Sequence, residues 1–272
     1  MTAMTHSPEW GSRAKTRPPP GSRCNICGSD STLSWDHVPP KGTGNRTKVS
    51  MTPLIAAMSG TPAKIQESQN GMKYKTICRS CNSLLGSEYD PSIISFTSTV
   101  TSYINTPLAL PPDPQCSVRV QRLMKGVLGH LLAAEVGCPS YAIASSDVRK
   151  YVLDPSEPLP ETVNLFFWLH DYRGSAVILD LTKYSLRDRS LHRLDVLKYF
   201  PIGFLATASR AYDGLPGLSH YRNAGCDEEI SLPVPLGVRR LPNWPEAPSD
   251  YDGTVTLVGE AAANAVIAHS AT

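Results

Sequence analysis

Seven side chains stand out by type and spacing. Cys24 and Cys27 form one Cys-x-x-Cys pair, Cys78 and Cys81 form a second, and Asn82 follows the last cysteine directly. Between the pairs lie Asp36 and His37, at the head of an Asp-His-Val-Pro-Pro-Lys run. A Cys-x-x-Cys turn brings two sulfurs to one ion, and two such turns make a closed tetrahedral thiolate site that suits zinc. Cysteines that were merely buried would have no reason to repeat one spacing. A total of 7 cysteines with no secretory signal in view argues against a disulfide framework. A carboxylate beside an imidazole is the pair that metal-assisted phosphodiester hydrolysis needs. The imidazole of His37 takes a proton from water. The Asp36 carboxylate is a ligand for a hard divalent cation such as magnesium, which stabilises charge on the phosphate and on a departing 3′ oxygen.

These residues need elements to hold them. Thr32 to Trp35 alternates as a short strand does and delivers Asp36 and His37 at its end, where Pro39-Pro40 forbids further pairing. Gly28 suits a turn that needs a positive φ. Lys73 to Ile77 reads as a second strand, and a helix starts near Ser80, a good N-cap, with Leu84 and Leu85 turned inward. Fifty residues (28–77) separate the two cysteine pairs, where a simple zinc ribbon has roughly 15–20. A lobe is therefore inserted. It carries Lys41, Arg46, Lys48, Lys64, Lys73 and Lys75 against a single acid, Glu67, and is expected to line a phosphate path beside the metal.

The ordered set Cys-x-x-Cys, Asp-His, Cys-x-x-Cys-Asn resembles the HNH endonucleases, also called ββα-metal or His-Me finger nucleases. The match runs over about 24 to 90. The resemblance implies an α+β chain: an N-terminal zinc-bound ββα-metal unit followed by a C-terminal α+β domain with an antiparallel sheet. It implies that His37 is the general base and that Asp36 and Asn82 hold the catalytic magnesium or manganese. It further implies that Cys24, Cys27, Cys78 and Cys81 hold a structural zinc, and that the substrate is DNA. Lys41, Arg46, Lys48, Lys73 and Lys75 would then contact the nucleic acid. Where the family often has a bracing asparagine, five residues before the third cysteine, this chain has Lys73. Asn45 and Asn70 are the two candidates for that brace. Asp90 is either an extra ligand or an ordinary solvated helix residue. The competing expectation is a zinc-stabilised module that binds nucleic acid or protein and cuts nothing.

Composition bounds the rest. The chain has 272 residues, 41% hydrophobic, 18% charged, with 24 prolines and a net charge of +2. It carries no apolar run of the roughly 18 residues a membrane helix needs, so no membrane partner and a cytoplasmic location are expected. Residues 1–90 hold 11 Lys and Arg against 6 Asp and Glu, whereas the remainder is net acidic. Residues 1–22 read as a disordered arm or leader with Arg13, Lys15 and Arg17 alternating. The zinc-bearing unit spans 23–105, a linker 106–116, and an accessory α+β domain 117–272 whose role the sequence leaves open.

In the insertion, Pro53–Met58 and Pro62–Gln69 read as helical turns. Ser117–Glu135 has an amphipathic period, with His130 beside its apolar stripe reading as a packing histidine. Ser145 to Asp147 caps a short helix ending at Leu153. Val163–Leu169 and Ala176–Leu181 read as a hairpin, Tyr199–Thr207, Ile230–Val234 and Thr254–Val258 as strands, and Gly259–Ala268 as a final helix. Cutting both strands together would take two heads, hence a homodimer. A nuclease governed by its second half through a ligand or partner would suit a phage defence system or a mobile element.

Overall fold

The computed structural model describes residues 13–143, 145–247 and 254–270. The chain is α+β, and its main sheet is antiparallel throughout. Strand β1 (Leu33–His37) pairs antiparallel with β4 (Lys73–Cys78), and helix α2 (Arg79–Leu84) leaves directly from β4. The helix is capped two residues earlier than Ser80, with Cys78 at its N-cap. It runs through a π-helical turn, Leu85–Tyr89, into α3 (Asp90–Asn105). Strand β5 (Gln115–Val118) pairs with β10 (Ile230–Pro233) and stands where a linker and a helix start were expected. The amphipathic helix is α4 (Val120–Ala134), almost wholly buried, and α5 (Ser146–Leu153) follows with Ser145 accepting from the Val148 amide.

The main sheet runs β3-β2-β12-β7-β8-β9-β6, with β11 also on β7. Its members are β2 (Val49–Pro53), β3 (Gln66–Ser68), β6 (Asn164–Leu169), β7 (Ser175–Ser185), β8 (Leu191–Tyr199), β9 (Ile202–Thr207), β11 (Thr254–Val258) and β12 (Val266–Ser270). Thus β2 and β3, from the insertion between the cysteine pairs, extend the sheet of the second half. Helix α1 (Leu54–Ser59) follows β2.

Four expectations change here. The β6–β7 hairpin does not form. One edge of β7 is taken by β8 and the other by β12 and β11, so β6 pairs with β9 instead. The stretch 259–268 is a 3-10 turn (Glu260–Asn264) and then β12. Pairing to β2 on one side and β7 on the other overrides the helix preference of its alanines. Residues 66–68, expected to be helical, form β3. The described part of the N-terminal arm is ordered: Ala14 and Thr16 are buried, the Lys75 amide donates to the Thr16 carbonyl at 2.8 Å, and Arg13 bridges to Lys64. The first twelve residues of the arm lie outside the described residues.

The largest hydrophobic cluster joins Ile26, Tyr74 and Ile77 to Leu85, Tyr89 and Ile93, to Val127, Leu128 and Leu131 of α4, and to Phe167 and Phe204 of the sheet. At Gly126 and Gly129 a side-chain carbon would collide with Ile93 and Leu85, so α4 lies close against α3 and the π turn. No helix among the described residues is long and apolar enough to cross a membrane.

Candidate metal centre and adjoining polar site

The two cysteine pairs converge although 50 residues separate them. The four sulfurs of Cys24, Cys27, Cys78 and Cys81 lie within 4.8 Å of one another, and Cys27 and Cys78 are 3.7 Å apart. Four sulfurs at zinc–thiolate bond length, about 2.3 Å, would stand about 3.8 Å apart along each tetrahedral edge. The four-cysteine cluster could therefore hold a structural metal such as zinc. The turn around Cys24 is tight: the Gly28 amide, at φ 71°, donates to the Cys24 carbonyl at 2.8 Å. The Cys78 amide points at Cys24 Sγ at 3.3 Å. Without an ion, the hydrogen bond from Cys81 and neighbouring amides pull the Cys24 thiol far down, and the Cys81 thiol is pushed up by the same bond.

Strand β1 carries Asp36 and His37 to its end. His37 Nε2 lies 3.0 Å from the carbonyl oxygen of Asn70. A carbonyl only accepts, so Nε2 holds the proton, and in the neutral ring Nδ1 is a bare acceptor. Partial burial lowers the His37 pKa, Asn70 opposes that, and Lys73 lowers it further. Asn45 supplies the brace. Its Nδ2 donates to the carbonyls of Pro39 and Met72 at 2.7 and 2.9 Å, and its Oδ1 accepts from the Met72 amide at 2.7 Å. Asn45 thus ties the loop after the Asp-His pair to the entry of β4, while Asn70 acts through its backbone. Only glycine fits at 71, where φ is 72° and any side chain would meet Asn45.

Asn82, on α2, donates to Ser34 Oγ at 3.1 Å and to the Trp35 carbonyl at 2.8 Å. Both bonds use its nitrogen, and both acceptors belong to β1, the strand that carries Asp36. The Asp36 carboxylate is buried and commits Oδ2 to His130 Nδ1 at 3.0 Å. Its Oδ1 has no hydrogen-bond partner among the described residues. An uncommitted carboxylate oxygen is a hard donor of the kind a divalent cation takes.

His130 was read from the sequence as a packing histidine. It is fully buried, and its Nε2 also meets Asp90 Oδ1 at 2.8 Å. Both partners are carboxylate oxygens, so both ring nitrogens donate. Burial alone would lower its pKa, but the charges of Asp36 and Asp90 raise it to about 10. Asp90 therefore stands one imidazole away from Asp36. Nothing in the spacing of Asp36, Asp90 and His130 could have revealed this.

Among the residues expected to meet nucleic acid, Lys73 lies near the ring of the exposed Trp35, at 6.0 Å. Lys48 is paired with Glu67 at 2.9 Å, and Arg46 is turned onto the Lys41 carbonyl. Lys75 faces a separate hollow with Trp35 and Arg79. Lys41 and Lys73 both act on the His37 ring. Lys73 also shares an open groove with Arg13, Lys15, Arg17 and Lys64, and Arg17 lies over the Trp35 ring at 4.7 Å. Glu67 is the one acid lining that groove, and Lys48 offsets it.

No protein-family model, no curated protein and no solved structure matches the chain. The reading of this site therefore rests on its own residues.

Proposed function

We propose that this protein is a metal-dependent endonuclease of the HNH type, with DNA as its substrate. The observation that carries the reading is the hydrogen bond from His37 Nε2 to the Asn70 carbonyl, which leaves Nδ1 free to act as a base on the residue that follows Asp36. In the reaction, His37 Nδ1 takes a proton from water. The water oxygen forms a bond to phosphorus, the bond from phosphorus to O3′ breaks, and O3′ takes a proton from solvent. Asp36 Oδ1 and the Asn82 amide oxygen would hold the divalent cation, which when bound supplies positive charge at the phosphate and at O3′. The four cysteines would hold zinc as a structural ion and take no part in turnover. The groove of Arg13, Lys15, Arg17, Lys64 and Lys73 gives a phosphate backbone a basic path.

Nicking of supercoiled plasmid by zinc-loaded protein, with magnesium or manganese added, tests the reading. Wild-type protein should cut, and His37→Ala should cut on the order of 100-fold more slowly or worse. Equal cutting by His37→Ala would overturn the assigned base. Binding of DNA without any cutting by the wild type would turn the reading into that of a zinc-stabilised binding module.

A further inference from the structure

Asp36 is held by a residue from the far half of the chain. His130 lies on α4, 94 residues away in sequence, and reaches through the core to Asp36 Oδ2. We propose that His130 is a positioning residue: it fixes the rotation of the Asp36 carboxylate so that Oδ1 faces the divalent cation, and thereby sets the affinity of the site for that ion. The inference rests on the reading of Asp36 and Asn82 as ion ligands and adds a role for the second half.

A carboxylate on a strand end is free to turn about its last bond unless one oxygen is fixed. Here the fixing donor is itself immobile. The His130 ring is wholly buried, and its other nitrogen is bound to Asp90 at the start of α3. Helix α4, which carries it, is tied down at its C-terminal end. Asn25, inside the first cysteine turn, donates to the Leu132 and Glu135 carbonyls at 2.8 Å each. Thr76 of β4 donates to the Ala133 carbonyl. These bonds satisfy carbonyls that a helix end leaves open. One continuous set of contacts thus runs from the cysteine turn, through α4, to His130 and Asp36. Partners that orient a ligand in this way are typically worth about 10- to 100-fold in metal affinity.

The test uses full-length, zinc-loaded protein and Mn2+ alone as the probe, followed by electron paramagnetic resonance or calorimetry. Wild-type protein should bind one Mn2+ that Asp36→Ala loses. His130→Gln, which keeps a polar group but cannot reach both carboxylates, should bind it about tenfold more weakly. Asp90→Asn, which leaves the bond to Asp36 in place but loosens its far end, should weaken binding in the same direction and by less. In plasmid nicking, the magnesium concentration for half-maximal rate should rise by the same factor in each variant, with the KM for DNA unchanged. A merely structural histidine would lower the melting temperature and leave the metal dependence alone. Should His130→Gln lose its zinc, Asp90→Asn decides. Unchanged Mn2+ affinity in the folded variants overturns the positioning role. Mn2+ binding that survives Asp36→Ala would instead overturn the ligand assignment itself.

Discussion

Raising the pH from 6 to 9 should destabilise the fold, through the buried acids Glu135 and Asp195 and through His130. Glu135, just past the end of α4, is buried with one oxygen on the Ser140 amide at 2.9 Å. Asp195 on β8 is fully buried and takes the Ser140 hydroxyl at 2.6 Å and the Asp180 amide at 2.7 Å. Asp180 is buried beside them, with Oδ2 unpartnered. The cations that face this group are Arg149 and Arg193. Burial pushes the Glu135 carboxyl up to about 8 and that of Asp195 to about 7. Both are higher folded than unfolded. The stability they contribute is therefore complete below the ordinary carboxylate range and is lost as pH rises toward 8. At about 1.4 kcal/mol per pH unit, the two together lose on the order of 3 to 4 kcal/mol between pH 6 and 8. About 4 kcal/mol in a chain of this size is roughly 10 °C in melting temperature. Thermal melting followed by circular dichroism, with zinc saturating at every pH, measures it. Glu135→Gln should remove the Glu135 share of the slope between pH 6 and 8 and leave the His130 share above it. His130, raised from an ordinary 6.5 to about 10, adds its own loss from about pH 6.5 upward, so the slope continues above pH 8. A melting temperature that is flat from pH 6 to 9, or a full slope in Glu135→Gln, would refute the reasoning.

Two further outcomes follow from the site. Asn45→Ala removes three hydrogen bonds at about 1 kcal/mol each, so denaturant titration should find it about 2–3 kcal/mol less stable, with nicking also reduced. Arg17→Ala and Lys64→Ala should each lower the slope of log affinity for DNA against log salt by about 0.9, with zinc content unchanged.

The four-cysteine cluster, which could hold a metal ion, was legible because each cysteine pair is a local pattern and the two copies share one spacing. Asp36, His37 and Asn82 each sit at a fixed place relative to those pairs, which is what singled them out in the sequence. The brace was narrowed to Asn45 or Asn70, and only the folded loop shows that the side chain of one and the carbonyl of the other share the work. His130 was hidden, since its partners are 94 and 40 residues away and its helix reads as an apolar stripe. Strands β6 and β7 were legible as strands but not as to their partners. Neighbours in sequence suggest a hairpin, and the competition for the edges of β7 is settled by β8, β11 and β12. The alanine-rich end of the chain misled for the same reason: its sheet partners come from residues 49–53 and 175–177.

That last pairing has a consequence for how the molecule can be dissected. Strand β12 lies between β2, which belongs to the lobe inserted among the sulfur ligands, and β7 of the second half. Ending the chain before Val266 would strip a neighbour from each of them and leave open edges that invite aggregation. The segment bearing the sulfur ligands is thus not a detachable cassette. Grafted onto another protein, it would arrive without its tail-end strand and without the helix that steadies its acidic side chain.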